Sequence, residues 1–395
     1  MKQPDIEAAT SQEVIWAQVD LDAIAHNVRQ LRRHIGDNVQ LMAVVKDNAY
    51  GHGAQQVAPI VLKSGADRLA VARMIEGIQL RRGGVVAPIL VLGYLPAAAA
   101  AALVEHNLTP AVTTLELGRA LSAAVGRLGC APLPVHVKVD SGMGRFGVLP
   151  DEVLDLLRAL NQLPGILIEG IFTHFSTAEL ADQRYSRRQL GVFSDVLRTV
   201  RDAGIAIPLV HAANSPATLY LPEAHLNMVR PGLPIYGWQP SAEMGAVLPL
   251  QPALSLHSRV ARVRVLPPGS AISYGNTYVT SQRTRVALVP IGYGDGYRRV
   301  ISNRGAVLIH GQRCRILGRV CMDQFVVDVS AVPDVQLDDE VVALGTQGNG
   351  LITADEIAAW ADTISYEIIT CIMPRVPRVY LQGGRVVEVR TLLTA

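Results

Sequence analysis

Up to about residue 230, short apolar runs alternate with amphipathic stretches, and the alternation repeats eight times. Strand-like runs fall at 40–45, 67–71, 88–92, 109–112, 134–139, 165–173, 207–211 and 226–229. Apolar residues recur at helical spacing over 22–34, 53–64, 73–81, 97–105, 114–127, 150–161 and 182–201, and a shorter helix opens at Asn214 or Ser215. Strands separated by helices in this way pair in parallel through right-handed crossovers. Eight of them close into a (β/α)8 TIM-type barrel. An open, doubly wound sheet is the rival arrangement, but no GxGxxG follows the first strand.

After residue 238 the pattern changes. Residues 238–250 carry no clear period. Alternating arginine- and valine-rich runs follow at 255–265, 284–290, 305–309, 313–320 and 324–329, divided by turns such as LPPGS and IHGQR. This spacing predicts a mostly β domain, with two helices near 353–361 and 364–370. The opening run VIWAQVDL reads as one more strand. It precedes the first barrel helix and is assigned to the β domain. The expected class is therefore α/β, with a barrel over 20–240 and a mostly β domain made of 1–19 plus 241–395.

Composition narrows the function. A chain of 395 residues with 49% hydrophobic residues can bury a large core without disulfides. Its cysteines, at 130, 314, 321 and 371, form no CxxC pair, so no metal site is expected. A net charge of +2 argues against a nucleic-acid or membrane-surface partner. The opening MKQPDIEAATSQEVIW has no apolar run behind Lys2, and the alanine run 97–102 is too short to span a bilayer. A cytoplasmic protein with a small-molecule substrate is expected.

Lysine is scarce. It occurs only at positions 2, 46, 63 and 138, while arginine supplies the remaining strong positive charge. Codon bias accounts for the total but not for the positions that keep lysine. Arginine replaces a surface lysine at little cost, but not one whose chemistry needs a neutral amine. Lys46 and Lys138 both end apolar runs. In VVKDNAYGHG, Lys46 stands at the C-terminal end of the first barrel strand, the face where barrel enzymes place their chemistry. An amine there can form a Schiff base with a carbonyl, or serve simply as an ion-pair partner. Tyr50 lies four residues on.

In HVKVDSGMGRFG, the period of two puts His136, Lys138 and Asp140 on one inward face, with Arg145 after a glycine-rich turn. A structural ion-pair network is the alternative. His174 and His211 end later strands and are expected at the same rim. Asn214 and Ser215 begin a helix, and RPGLPIYG adds Arg230 and Gly232, so a phosphate could be held near the last two strands. The β domain carries two tyrosine-glycine turns, SYGNTY at 273–278 and IGYGDGY at 291–297, and the segment CMDQ at 321–324. Such tyrosines can act as bases, or merely as lids and packing.

Together these segments resemble the alanine racemases, bacterial pyridoxal 5'-phosphate enzymes with a barrel and a C-terminal β domain. The resemblance runs in order from WAQVDLDAIAHNV at 16–28 to YEIITCIMPRVPRVY at 366–380, and VVKDNAYGHG, KVDSGMGRFG, SYGNTY, PIGYGDGY and RVPR make it specific. It implies interconversion of L- and D-alanine, supplying D-alanine for cell-wall peptidoglycan. By the resemblance, Lys46 would bond the cofactor and serve as one base, and Tyr274 would be the second base on the opposite face. Tyr274, Met322 and Asp323 would come from the other subunit of a homodimer with shared active sites. Arg230 would meet the pyridine nitrogen, and His174 would link Arg230 to Tyr274. Tyr50, Ser215, Gly232, Leu233 and Tyr366 would hold the phosphate. Arg145 would contact the cofactor's phenolic oxygen and the substrate carboxylate, Tyr293 would narrow the access channel, and Lys138 would be carbamylated beside Arg145.

Two departures are visible. Met373 and Pro374 stand where many relatives have glycine and tyrosine, and Ser141 stands where threonine is common. Neither removes a needed chemical group. The rival readings are a racemase of other specificity, such as for serine, a non-catalytic pyridoxal-phosphate barrel, and a decarboxylase on the related two-domain fold.

Overall fold

The computed structural model describes residues 4–393. They form two compact units. One comprises Ile24–Ala49 and Ala54–Gln251. The other comprises the segment up to Ala23, Tyr50–Gly53 and the segment from Pro252 onward.

The first strand in the chain, β1 (Ile15–Asp20), belongs to the second of these units. The barrel strands are β2 (Gln40–Val44), β3 (Arg68–Val71), β4 (Ile89–Val91), β5 (Thr109–Val112), β6 (Leu133–Lys138), β7 (Ile166–Phe172), β8 (Leu209–His211) and β9 (Met228–Val229). Each pairs in parallel with the next, and β9 pairs with β2, so the sheet closes. The expected barrel is therefore present, and the open-sheet alternative is excluded. The strands are short and apolar because helices cover their outer faces. The helix Leu115–Leu128 is set at both ends: Thr114 caps its start by accepting from the Leu117 N–H at 3.3 Å, and Gly129, at φ 63°, ends it. Its inner stripe, Leu117, Leu121, Ala124 and Val125, is buried.

The second unit holds an 11-stranded sheet. Ten strands follow one path, from the edge strand Arg262–Leu266 through Thr284–Val289, Phe325–Asp328, Gln312–Leu317, Ala306–Ile309, Glu340–Gln347, Leu254–Arg259, β1 and Arg378–Gln382 to Arg385–Arg390, and the eleventh, Gly350–Ile352, pairs off that path with Glu340–Gln347. β1 lies antiparallel to Leu254–Arg259 and parallel to Arg378–Gln382. The run predicted over 255–265 is two strands, not one. At Val260 and Ala261 the chain changes neighbours, the Val260 N–H donating to Asp339 and the Ala261 N–H to Leu288. The first piece, Leu254–Arg259, is mostly buried and the second, Arg262–Leu266, mostly exposed, a difference that the run of arginine and valine does not reveal. The predicted helix 97–105 is likewise a 3-10 turn, Ala97–Ala99, followed by an α-helix, Ala100–Glu105.

Candidate active site

Barrel interiors are ordinarily filled by layers of branched apolar side chains. This one carries His136, His211, Arg230 and Lys138, all buried. Such groups are costly away from water unless each is paired, and their partners organise the site.

Lys46 follows β2 after a single residue, Val45. The next four residues, Asp47, Asn48, Ala49 and Tyr50, all have φ between 52° and 53°. Left-handed backbone costs a residue with a Cβ roughly 1–2 kcal/mol, so the surrounding fold must impose this turn. Glu76 accepts from the Asp47 N–H at 2.5 Å, and the Asn48 side chain accepts from the Ala54 N–H at 2.9 Å. Lys46 Nζ lies 3.8 Å from the Asp47 carboxylate.

Lys138 ends β6, and its Nζ donates to the Phe146 carbonyl at 2.5 Å. Burial, then the charges of Arg230 and Arg145, pull its amine down to about 8. Asp140 does not join the inward cluster expected from its parity. It lies beyond the strand, and its Oδ1 accepts from the N–H groups of Gly142, Met143 and Gly144, forming the turn that carries Arg145. Gly147 closes that loop at φ 140°, where a Cβ would lie 2.6 Å from the Asp140 nitrogen.

Arg230 follows β9 and is buried. Its Nη1 donates to His211 Nδ1 at 2.8 Å, and its Nη2 donates to the carbonyls of Thr173 at 2.8 Å and Ala212 at 3.1 Å. Its Nη2 also lies 3.4 Å from His174 Nδ1. Its Nε makes no hydrogen bond among the described residues. Burial pulls the guanidinium down to about 9, which leaves it charged at neutral pH. Burial, followed by the charges of Arg230, Arg145, Lys138 and Lys46, drives His174 well below its ordinary value, so its imidazole is neutral. His211 is not at the rim, where it was expected. It lies inside the barrel, stacked on Phe172 with ring centroids 4.7 Å apart.

Ser215 begins the helix Ser215–Tyr220, where a helix start was expected, and the Asn214 side chain caps it by accepting from the Ala217 N–H. Ser215 Oγ accepts from the Gly232 N–H at 2.9 Å, tying that helix start to the 3-10 turn Leu233–Tyr236. The first N–H groups of a helix have no partner inside it, so Ser215 and Leu233 bring donors close together.

In the second unit, the rings of Tyr50 and Tyr366 lie 6.1 Å apart. Tyr274 is 71% exposed, in a turn where Ser273, Gly275 and Asn276 all have positive φ. Ser273 Oγ anchors this turn by donating to the Arg319 carbonyl at 2.7 Å. The turns bearing Tyr293 and Met322–Asp323 are bonded together: the Tyr293 N–H donates to Cys321 and the Gly294 N–H to Met322. Arg375 clamps the pair, with Nε on Asp295 at 2.7 Å and Nη2 on Asp323 at 2.8 Å. Sequence reasoning missed Arg375 and Asp295, although both stand inside the motifs that it quoted.

The barrel mouth thus gathers Lys46, Lys138, Arg145, His174 and Arg230, and the fold and this cluster define a barrel enzyme acting on a small molecule. Comparison with known proteins makes the class particular. The family model "Alanine racemase, N-terminal domain" matches residues 19–240, and "Alanine racemase, C-terminal domain" matches 253–380. The alanine racemase of Desulforamulus reducens is 45% identical over 373 residues, covering 93% of this chain and 99% of that protein. The structure of alanine racemase from Bacillus anthracis with bound L-Ala-P superposes with a TM-score of 0.91 at 40% identity, over 96% of this chain and 98% of that one. Alanine racemase from Clostridium difficile 630 gives 0.93 at 37% identity, over 97% and 99%. The chain belongs to the alanine racemase family.

Proposed function

We propose that this protein interconverts L- and D-alanine with pyridoxal 5'-phosphate as cofactor, supplying D-alanine for peptidoglycan. The observation that supports the cofactor most directly is Arg230, a buried guanidinium fixed by His211, Thr173 and Ala212 with Nε uncommitted. A spare cationic donor suits an unprotonated pyridine nitrogen. A protonated one would set two positive charges face to face. Lys46 would bond the cofactor. Ser215, Gly232 and Leu233 would hold its phosphate, with Tyr50 and Tyr366 assigned to the same role on the family resemblance. Bound pyridoxal phosphate supplies an electron sink for the carbanion at the substrate α-carbon.

The chain's own residues then handle protons and orientation. Racemisation takes a proton from one face of the α-carbon and returns one to the other. Two opposed bases do this without either crossing the plane. Lys46 Nζ serves one face, and the partner's Tyr274 serves the other. The partner's Met322 and the partner's Asp323 line the substrate site, Tyr293 narrows the access channel, and His174 links Arg230 to the second base. Exposure of Tyr274 on an anchored turn supports a two-fold homodimer, in which each copy completes its neighbour's site. Arg145 would orient the substrate carboxylate and, on the family resemblance, would also help to hold the cofactor through its phenolic oxygen.

Lys138 is assigned a carbamate. An amine near 8 keeps a neutral fraction at neutral pH. The neutral nitrogen adds to carbon dioxide and releases one proton, so that, with the proton the ammonium first gives up, two protons leave and a cation is replaced by an anion beside Arg145. Among the described residues, no helix is long and apolar enough to cross a membrane, and no group of three His, Cys, Asp or Glu side chains could hold a metal.

The test is an absorbance spectrum of the purified protein with pyridoxal phosphate, together with assays of alanine, serine and lysine turnover. Wild type should show a visible, borohydride-sensitive band and racemise alanine fastest. Lys46→Ala should lose both the band and the activity. A visible band that borohydride still removes in Lys46→Ala would overturn the assignment.

A further inference from the structure

Arg230 is one end of a hydrogen-bonded column that runs down the inside of the barrel. His211 Nε2 lies 2.8 Å from His136 Nδ1, and His136 Nε2 lies 3.0 Å from Glu169 Oε2. Arg68 grips the same carboxylate, with Nη1 on Oε2 and Nη2 on Oε1, both at 2.9 Å. Arg68 Nε donates to Gln40 Oε1 at 2.9 Å. Arg68 and Gln40 are the first residues of β3 and β2, so the column reaches from the N-terminal end of the strands to Arg230 beyond the end of β9.

The chemistry of the two ends fixes the direction of every bond between them. A guanidinium only donates, so His211 Nδ1 must accept and its proton must sit on Nε2. That proton points at His136 Nδ1, which must therefore also accept, placing the His136 proton on Nε2. An ionised carboxylate only accepts, and Glu169 Oε2 receives that proton. Both imidazoles are neutral: burial, then the charges of Arg230, His136 and Arg68, lower His211, and at His136 burial outweighs the opposing pull of Glu169. Glu169 is held down at about 2 against the cost of burial, by its bonds from His136 and Arg68. With all donors facing one way, each bond polarises the next.

We propose that Glu169, acting through His136 and His211, is a positioning residue that makes His211 Nδ1 a strong acceptor and so fixes the Arg230 guanidinium for its cofactor contact. This deepens the reading given above and rests on it. Arg68 holds Glu169 in place at the opposite end of the barrel. Gly170 leaves the space that His136 occupies, since a Cβ there would meet the ring at 2.5 Å. A glutamine at 169 would still accept from His136, but as a neutral and weaker acceptor, and its amide N–H₂ would oppose Arg68.

The test uses the full-length chain labelled with ¹⁵N-histidine, with and without added pyridoxal phosphate, as wild type and as Glu169→Gln. In wild type, His136 and His211 should both appear as neutral Nε2–H tautomers in the absence of cofactor. In Glu169→Gln the His211 Nδ1 resonance should move toward that of a free imidazole nitrogen. The pyridoxal phosphate concentration for half-saturation should rise about tenfold, a difference of ~1.4 kcal/mol. The absorbance of the bound cofactor should also shift. A purely structural role would lower the melting temperature and leave the His211 resonance and the cofactor spectrum in place, which would overturn the proposal. So would an Nδ1–H tautomer at either histidine. A protein with the expected tautomers that neither binds pyridoxal phosphate nor racemises alanine would instead overturn the functional reading.

Discussion

Gly170 and His136 share one space. The two residues are paired across β7 and β6, and a methyl group at 170 would lie 2.5 Å from Nδ1 of the imidazole and 2.6 Å from Cε1. The ring cannot swing aside freely, because it is bonded on one side to His211 and on the other to Glu169.

Gly170→Ala should therefore destabilise the protein by about 1–3 kcal/mol, as overpacking of a tight interior does. The same change in a His136→Ala background should cost much less, because the clash is gone. Urea unfolding of the four proteins in this double-mutant cycle measures the coupling. Additive effects would show that the two residues do not compete for the space.

Mixing two inactive variants tests the shared site. Lys46→Ala lacks one base and Tyr274→Phe lacks the other. Subunit exchange between them should restore activity, because one of the two sites in a mixed dimer then has both bases. Sedimentation should show a dimer. Full activity in a dilute monomer would end this account.

Tyr274→Phe should keep the cofactor and lose at least ~10²-fold in turnover in both directions, within the range general acid–base groups supply. Both directions suffer because each needs one group as base and the other as acid. With Lys46 intact, the variant should still exchange the α-proton of D-alanine with deuterated water, and should exchange that of L-alanine far more slowly. Equal exchange of the two enantiomers would remove Tyr274 from the role.

Carbamylation of Lys138 should appear in ¹³C spectra of protein equilibrated with labelled bicarbonate, and the signal should be absent in Lys138→Ala. Occupancy should increase as pH rises toward about 8, where the amine loses its proton. A pH-independent or missing signal would contradict the assignment.

Glu169 gives the fold an acid limit. Its folded value, about 2, lies below the ordinary 4.5. Its contribution is thus complete above about 4.5 and is lost as pH falls toward about 2. Urea midpoints measured stepwise downward from pH 6 should fall less steeply below 4.5 in Glu169→Gln than in wild type. Parallel curves would mean that the carboxylate is not stabilised by folding.

The barrel could be read in the sequence because its strands are apolar runs divided by amphipathic helices, a pattern set by burial on both faces. Lys46 could be read because it ends such a run, and Ser215 because Asn214 marks a helix start. Glu169 lies inside ILIEGIF, where one acidic residue in an apolar strand, followed by a glycine, is the only local signal of its role. Its partner Arg68 stands 101 residues away at the start of another strand, so no local spacing connects them. The inward parity of HVKVD holds for His136 and Lys138 and fails at Asp140, where the chain has already left the strand for the turn.

The polar interior also limits how this protein could be engineered. Replacing a buried ion pair with well-packed hydrocarbon is often neutral or stabilising, so a search for thermostable variants would be drawn to Arg68, His136, Glu169 and His211. Leucine and phenylalanine there could yield a hardier barrel. They would also remove the atoms that aim Arg230, so heat resistance selected without an activity screen would accumulate folded but inert protein. Helix caps and surface charge on the outer ring are where tolerance to heat can be gained independently of catalysis.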